Sequence, residues 1–290
     1  MIPAWVDRAE YPFVPRRLAV DGMAMSYVDE GDGPTVLMVH GTPSWSFVYR
    51  HLVRGLRDAF RCVAPDLPGF GLSDKPPGDA YRPEDQARRL SAFIDALGLK
   101  DLALVVHDFG GPIGLAHAID RPTNVQRLVL FNTWMWSLAG DRRLAWMGRL
   151  MSSRLGRLLY ERLGFAVNVL WRQAVRDAQY TPARHAQYTA ALRDPAARHA
   201  SWIYARELLG SSAWFDGLWQ RRDRIASIPA LLVWGMRDPA FAGALPRWRA
   251  LFTHAEIVEW PDVGHAPPEV RGAQTAARVR RFLEATRRTP

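Results

Sequence analysis

The segment Leu102–Gly114, which reads LALVVHDFGGPIG, constrains the fold of this chain more than any other segment. Its first five residues are apolar and predict a strand that is buried on both faces. A sharp turn at Asp108 follows, and two glycines and a proline then begin a helix. Strand, turn and helix in this order are the geometry of a nucleophile elbow, which holds its central residue on a strained turn at the carboxyl edge of a sheet.

The central residue of this elbow is an aspartate, and that choice indicates the chemistry. Asp108 is ionised at neutral pH and needs no base to activate it, whereas a serine would first have to lose its hydroxyl proton. A carboxylate can displace a leaving group from saturated carbon, and the product is an ester that water can cleave. The sequence therefore predicts substitution at an sp3 carbon, followed by hydrolysis of an ester on Asp108.

Length, charge and cysteine content limit the other possibilities. With 290 residues the chain can form one large domain, or a core domain with an inserted lid. No apolar run approaches the ~20 residues of a membrane span, and we expect no secretion signal and no membrane partner. The single cysteine, Cys62, excludes an internal disulfide and favours the cytoplasm.

The net charge of +9 comes almost wholly from arginine, because Lys75 and Lys100 are the only lysines. These arginines are spread over predicted helices and are not clustered into a binding stripe, so we expect no nucleic-acid partner. An oligomer is compatible with the sequence but is not indicated by it.

Strand and helix patterns alternate along the chain. Residues 16–29 predict a hairpin around an Asp-Gly turn. Besides the elbow strand, a short buried strand is predicted at 36–39 and further strands at 61–65, 127–131, 230–234 and 255–260, most of them apolar throughout. This alternation predicts an α/β fold with a mostly parallel central sheet and helices on both faces. Residues 134–224 lack a buried-strand pattern, so we expect a helical cap there, inserted between two parts of the core at 1–133 and 225–290.

A base and its orienting acid are expected after the elbow, at the same edge of the sheet. Asp238 lies just past the predicted strand at 230–234, and His265 lies just past the strand at 255–260. Asp262 is a rival for the acid, but its position three residues before His265 favours a role in the turn. His107 precedes the nucleophile on its strand, and we expect it to be a core histidine.

Two backbone N–H groups complete the predicted catalytic site. His40-Gly-Thr-Pro43 follows a buried strand, and it places the N–H of Thr42 beside that of Phe109 as an oxyanion hole. The segment Leu67–Gly71 is glycine-rich, but no Lys-Ser/Thr pair follows it, so we do not interpret it as a phosphate-binding loop.

Five blocks of the sequence resemble the haloalkane dehalogenase family of the α/β-hydrolase fold. They are HGTPSWSFVYR (40–50), DLPGFGLSDKP (66–76), VHDFGGPIG (106–114), WGMRDPAF (234–241) and GHAPPE (264–269). The first three blocks also occur in related epoxide hydrolases, whereas the block containing Asp238 is more specific to dehalogenases. The resemblance implies that Asp108 forms an alkyl-enzyme ester on a small apolar haloalkane. His265, held by Asp238, then activates water, and no metal or organic cofactor takes part.

One position departs from the family pattern. The family usually places tryptophan directly after the nucleophile, where its indole N–H holds the leaving halide, and this chain has Phe109. Thr42 occupies the position that often carries a second halide donor in the family. Because phenylalanine cannot donate a hydrogen bond, either a tryptophan of the cap supplies the donor or the leaving group is not a halide. The expected residues for binding substrate and halide are Thr42, Phe109, Trp134 and Trp136.

Alternative functions remain compatible with the sequence. An epoxide hydrolase would need acids for the leaving alkoxide, normally two cap tyrosines, and four are available: Tyr160, Tyr180, Tyr188 and Tyr204. A β-lactone-processing hydrolase also fits an aspartate nucleophile. A ligand-binding member of the fold without catalysis is a third alternative, although the set of Asp108, Asp238 and His265 argues against it.

Overall fold

The computed structural model of the protein describes residues 2–175, 177 and 180–286. Among them, eight strands form one sheet in the order β1-β2-β4-β3-β5-β6-β7-β8. The strands are β1 (Arg16–Val20), β2 (Met23–Glu30), β3 (Thr35–Val39), β4 (Arg61–Pro65), β5 (Leu102–His107), β6 (Val125–Phe131), β7 (Ala230–Gly235) and β8 (Glu256–Trp260). β2 pairs antiparallel with β1 and β4, and all other neighbours are parallel.

Twelve α-helices lie in the described parts of the chain. They are α1 (Arg50–Leu56), α2 (Pro83–Ala96), α3 (Gly110–Asp120), α4 (Arg142–Ser152), α5 (Arg154–Leu163), α6 (Arg172–Ala174), α7 (Pro182–Ala191), α8 (Pro195–Gly210), α9 (Ser212–Gln220), α10 (Leu245–Leu251), α11 (Pro267–Val270) and α12 (Gly272–Ala285). A π-helical segment, Ala166–Trp171, precedes α6. The predicted α/β fold is thereby confirmed.

The sheet is buried on both faces because its central strands are apolar at most positions. In β5, Leu104 and Val106 belong to one hydrophobic cluster, and Ala103 and Val105 belong to the other. α2 and α3 cover the first face, whereas α1 and α12 cover the second. Alternate side chains of one strand therefore fill two separate layers of core, as parallel sheets require.

The predicted N-terminal hairpin is confirmed. β1 and β2 pair from Arg16 with Tyr27 to Val20 with Met23. The two turn residues, Asp21 and Gly22, have φ values of 49° and 74°. Positive φ at both central positions is the geometry that favours Asp-Gly in a two-residue hairpin turn.

All residues between β6 and β7 that the structure describes are helical or irregular, and no strand occurs among them. α4 and α5 both pack on α8, and this helical insertion lies over the carboxyl ends of the parallel strands. The division of the chain into a core and a cap at 134 and 224 stays a prediction. No helix among the described residues has the length and apolar character needed to cross a membrane.

Candidate active site

The turn after β5 holds Asp108 in the left-handed region, with φ of 53°. Its carbonyl oxygen accepts hydrogen bonds from the Thr133 hydroxyl at 2.6 Å and from the Gly111 N–H at 2.9 Å. A Cβ on Gly110 would lie 2.1 Å from the Val39 carbonyl oxygen, and one on Gly111 would lie 1.8 Å from the Thr133 hydroxyl. Only glycine lets the helix start this close to the sheet, so these two residues fix the strained conformation of Asp108.

The carboxylate of Asp108 is buried and held from two sides. Its Oδ1 accepts a hydrogen bond from the backbone N–H of Thr42 at 2.8 Å. Its Oδ2 lies 3.5 Å from Nε2 of His265. The two oxygens therefore have different environments: Oδ1 is fixed by an amide dipole, and Oδ2 faces the imidazole.

His265 is in turn oriented by Asp238. Its Nδ1 lies 2.9 Å from Oδ2 of Asp238. The Asp238 carboxylate also accepts hydrogen bonds from the Asn132 side-chain amide at 2.9 Å and from the Ala240 N–H at 2.8 Å. Asn132 is further tied to both backbone groups of Gly235. No role is assigned to Asn132 from the sequence, although its position directly after β6 was the available signal for this supporting role.

The electrostatics of the three groups are coupled. Burial lowers the pKa of the His265 imidazole, but the carboxylates of Asp238 and Asp108 outweigh burial and raise it to about 10. Burial raises the pKa of Asp238, yet the charge of His265 and the hydrogen bonds to its oxygens lower it below its ordinary value. The two neighbouring carboxylates therefore favour the charged form of the His265 imidazole.

Asp262 and His107 were also weighed for the site, and neither side chain forms a hydrogen bond with the side chain of Asp108 or Asp238. Asp262 forms a surface ion pair with Arg271, so it is Asp238 that reaches the imidazole. His107 is buried, and its Nε2 lies 2.9 Å from the backbone carbonyl of His265. Burial and the neighbouring His265 lower the pKa of His107 to about 4, so it is neutral and donates to that carbonyl. It supports the loop that carries His265.

A cavity of about 200 Å³ opens beside Asp108, between the sheet edge and the helical insertion. Its wall from the insertion is mostly apolar and includes Leu144, Met147, Met151, Leu170, Trp171 and Leu208. Phe109 and Phe241 line it from the core side. A small apolar molecule fits such a cavity, with the Asp108 carboxylate as the reactive group at its end.

Three hydroxyl groups face this cavity. The side-chain oxygens of Thr42 and Ser201 lie 3.0 Å apart, and Tyr160 also belongs to the lining. Each hydroxyl carries one proton, so a hydrogen bond between Thr42 and Ser201 uses one proton and leaves the other available to a third group. Sequence reasoning did not identify Ser201, because nothing in the pattern of α8 distinguishes it from a packing residue.

The two tryptophans predicted to bind halide lie behind the cavity wall. Trp134 is fully buried, stacks on Phe241 with ring centroids 4.5 Å apart and meets the edge of Phe109 at 4.7 Å. Its indole N–H has no hydrogen-bond partner among the described residues. Trp136 packs with Trp219 and Trp248. Neither tryptophan is one of the described residues that line the cavity, and their role in halide binding stays a prediction.

The four tyrosines weighed for an epoxide hydrolase lie in different places. Tyr160 lines the cavity. Tyr180 accepts a hydrogen bond from the Trp171 indole, and Tyr188 donates one to Glu269. The hydroxyl of Tyr204 is buried without a partner in the described structure, beside the ring of Phe109. No three His, Cys, Asp or Glu side chains among the described residues are grouped so that they could hold a metal.

Comparison with known proteins gives concordant results. Residues 34–271 match the model of a family described as alpha/beta hydrolase fold. Haloalkane dehalogenase 2 of Mycobacterium tuberculosis is 36% identical over 278 residues, which cover 94% of this chain and 96% of that protein. A cis-3-alkyl-4-alkyloxetan-2-one decarboxylase of Xanthomonas campestris is 34% identical, covering 94% and 97%. The crystal structure of haloalkane dehalogenase DbeA from Bradyrhizobium elkani superposes with a TM-score of 0.80 at 25% identity, covering 94% and 99%.

Proposed function

The chain belongs to the haloalkane dehalogenase family of the α/β-hydrolase fold, and from that premise we propose that it hydrolyses carbon–halogen bonds of small haloalkanes to an alcohol and a halide. One observation carries the proposal: an aspartate carboxylate at a nucleophile elbow lies at the end of an apolar cavity. One of its oxygens is fixed by an amide, and the other faces a histidine held by a second carboxylate.

In the first step, Oδ2 of Asp108 attacks the carbon that bears the halogen. A carbon–oxygen bond forms, the carbon–halogen bond breaks, and its electron pair leaves with the halide. Oδ1 stays on the Thr42 amide throughout, because it becomes the carbonyl oxygen of the ester. The apolar wall of the cavity keeps water away from the carboxylate, which strengthens it as a nucleophile.

The leaving halide needs hydrogen-bond donors, and Phe109 supplies none. We propose the Thr42 and Ser201 hydroxyls for this role, because they line the cavity next to Asp108 and one of their two protons is uncommitted. Tyr160 is the other hydroxyl on the cavity wall. The indole of Trp134 remains a candidate only if Phe109 and Phe241 move aside, since its ring lies behind theirs.

In the second step, water cleaves the ester. Alkylation removes the negative charge of Asp108, which is one of the two charges that raise the pKa of His265. The imidazole then releases its proton more readily and accepts one from water at Nε2, while Asp238 stabilises the resulting imidazolium. The hydroxide attacks the carbonyl carbon of the ester, and the backbone amides of Thr42 and Phe109 stabilise the oxyanion that forms. The intermediate collapses by breaking the bond between the carbonyl carbon and the oxygen that carries the alkyl group. That oxygen takes the proton held by His265 and leaves as the alcohol, and the Asp108 carboxyl group returns its own proton to the imidazole.

A β-lactone is the second candidate substrate. One of the similar proteins is named as an oxetan-2-one decarboxylase, at an identity close to that of the dehalogenase. The saturated ring carbon of such a lactone carries a carboxylate leaving group, which needs no indole donor. An epoxide is less well supported, because Tyr160 alone of the four tyrosines lines the cavity.

We further propose that the enzyme acts in the cytoplasm, since its cysteine, Cys62, is a buried free thiol.

The deciding experiment measures halide release from a panel of bromo- and iodoalkanes by the purified chain. We expect release that disappears in Asp108→Ala. Turnover in heavy-oxygen water should also label the Asp108 carboxylate, because the water oxygen that attacks the ester carbonyl stays on the enzyme. A folded protein that releases halide from no member of the panel, but opens a β-lactone in an Asp108-dependent way, would replace the dehalogenase proposal with the second candidate.

A further inference from the structure

Exposed apolar side chains are concentrated on two helices of the insertion. Trp146 on α4 is 66% exposed, and Leu155, Leu158 and Leu163 on α5 are 56%, 53% and 63% exposed. Only two other large apolar side chains of the described structure, Val14 and Met236, are comparably exposed. Large apolar residues gathered on one surface mark an interaction site, whereas single ones need no explanation.

The same two helices carry a strong positive charge. Residues 142–163 contain six arginines and one acidic residue, Glu161, which is a net charge of +5 out of +9 for the whole chain. Glu161 pairs with Arg157 and His199. The other five arginines form no ion pair with the carboxylates of the described residues; they are Arg142, Arg143, Arg149, Arg154 and Arg162. Their charge is therefore not neutralised within this part of the protein.

The two helices are amphipathic, and their apolar inner sides are already used. α4 and α5 pack on α8 and on each other. Leu144 and Met147 of α4 and Tyr160 of α5 line the catalytic cavity. The outer face of α4–α5, defined here by Arg142, Trp146, Arg149, Leu155, Leu158 and Arg162, is exposed to solvent.

We propose that the outer face of α4–α5 docks on an anionic phospholipid surface. Tryptophan and leucine suit the boundary between head groups and acyl chains, and arginines beside them suit phosphate groups. A second copy of the chain is a poor occupant, because a two-fold contact would bring Arg142, Arg149 and Arg162 of one face against the same three arginines of the other. The expectation of no membrane partner rested on the lack of a spanning segment, and a peripheral surface needs none.

The position of this face relates it to the cavity. One side of α4 contributes Arg143, Leu144, Met147 and Met151 to the cavity lining, and the opposite side carries Trp146 and Arg149. Docking would place the cavity near the layer in which apolar molecules accumulate. The interaction itself does not rest on the proposed reaction, and its test needs no turnover.

The test is sedimentation of the full chain with vesicles of phosphatidylcholine alone and of an equimolar mixture with phosphatidylglycerol. We expect binding to the mixed vesicles only, and its loss at 1 M salt, where the Debye length falls to about 3 Å. Each arginine near an anionic surface strengthens binding by about fivefold. Loss of an anchoring tryptophan adds to this, so Trp146→Ser/Arg149→Ser should bind at least about tenfold more weakly.

The matched control is Val14→Ser/Arg16→Ser, which removes an exposed apolar side chain and an exposed arginine outside α4 and α5. It should bind like the unaltered chain. Equal weakening in both variants would mean attraction by overall charge alone and would overturn the proposal. So would undiminished binding by Trp146→Ser/Arg149→Ser, or a dimer in light scattering that this variant abolishes without any vesicle binding. Circular dichroism reports on the folding of both variants and needs no turnover.

Discussion

The carboxyl edge of the sheet and the helical insertion above it contribute to the site in different ways. The edge supplies Asp108, Asp238 and His265 from three loops, each of which follows a parallel strand and is fixed by backbone hydrogen bonds. The insertion supplies mostly apolar side chains and the hydroxyls of Ser201 and Tyr160. The edge thus determines which reaction is possible, and the insertion determines which molecule reaches it.

The insertion is linked to the core at a buried ion pair between Arg50 and Glu269. Arg50 on α1 donates two hydrogen bonds to Glu269, at 2.5 and 2.9 Å, and a third to Glu10. Tyr188 of the insertion donates to the same Glu269 carboxylate, and its ring packs against Trp171, which lines the cavity. The cavity wall at Trp171 is therefore anchored to Glu269 of the core, which lies four residues after His265.

The largest expected effect tests the role of the sheet edge. His265→Gln should lose turnover by a factor on the order of 10⁴, because no base then activates water. The first step does not need that base, so the alkyl ester should accumulate on Asp108. Intact-mass spectrometry after incubation with a bromoalkane should detect one added alkyl group. The control Asp108→Asn/His265→Gln should show none, and an adduct in that double variant would assign the nucleophile to another residue.

The second prediction concerns the anchor between the regions. Glu269→Gln leaves the buried Arg50 guanidinium without its main counter-charge, and we expect the free energy of unfolding to fall by about 3 kcal/mol. The matched control is Glu259→Gln, which breaks the exposed pair with Arg249 and should cost less than about 1 kcal/mol. Urea denaturation measures both. Equal losses would show that burial of the pair is not what matters.

A third prediction examines what the insertion adds to the chemistry. Ser201→Ala should slow halide displacement by about 10- to 100-fold, the usual effect of losing a hydrogen bond to a developing charge. Rapid-quench kinetics isolate that step. Ser212→Ala, a serine of the insertion whose hydroxyl donates to the Leu209 carbonyl, is the control and should leave the step unchanged. If Trp134→Phe has the larger effect, the indole is the halide donor and Ser201 is a packing residue.

The fourth prediction uses the pKa of His265. Its value in the folded chain, about 10, lies above the ordinary 6.5, so the charged imidazole stabilises the fold. This contribution is fully present below pH 6.5 and is lost as the pH rises through about 10, by up to about 1.4 kcal/mol per pH unit. Unfolding free energies measured between pH 6.5 and 10 should fall less steeply for His265→Gln than for the unaltered chain.

The smallest expected effect distinguishes selectivity from reaction. Met147→Ala enlarges the cavity on the side of the insertion. We expect kcat/KM to rise by about threefold for longer bromoalkanes and to stay the same for short ones, since each additional buried methylene contributes about 0.8 kcal/mol. Steady-state kinetics over a series of chain lengths measure this. A uniform change over the whole series would mean that the insertion also positions the reacting groups.

The sequence by itself determined the fold and the order of the groups along the sheet edge. Apolar runs identified the parallel strands, and the glycines after Asp108 indicated an elbow, because a left-handed turn against a sheet leaves no room for a Cβ. Asp238 and His265 could be predicted because each follows a strand end, and the ends of parallel strands meet at one edge. Each of these signals is local in the chain.

Only the tertiary structure decided how the cavity is lined. Thr42 and Ser201 are 159 residues apart and meet because α8 lies over the first loop of the sheet edge. Asn132 reaches Asp238 across 106 residues. Four tyrosines of the insertion were equivalent in the sequence, yet one lines the cavity and another donates to the buried Glu269. Helical periodicity shows that a face is apolar, but packing between distant segments decides whether that face meets core or cavity.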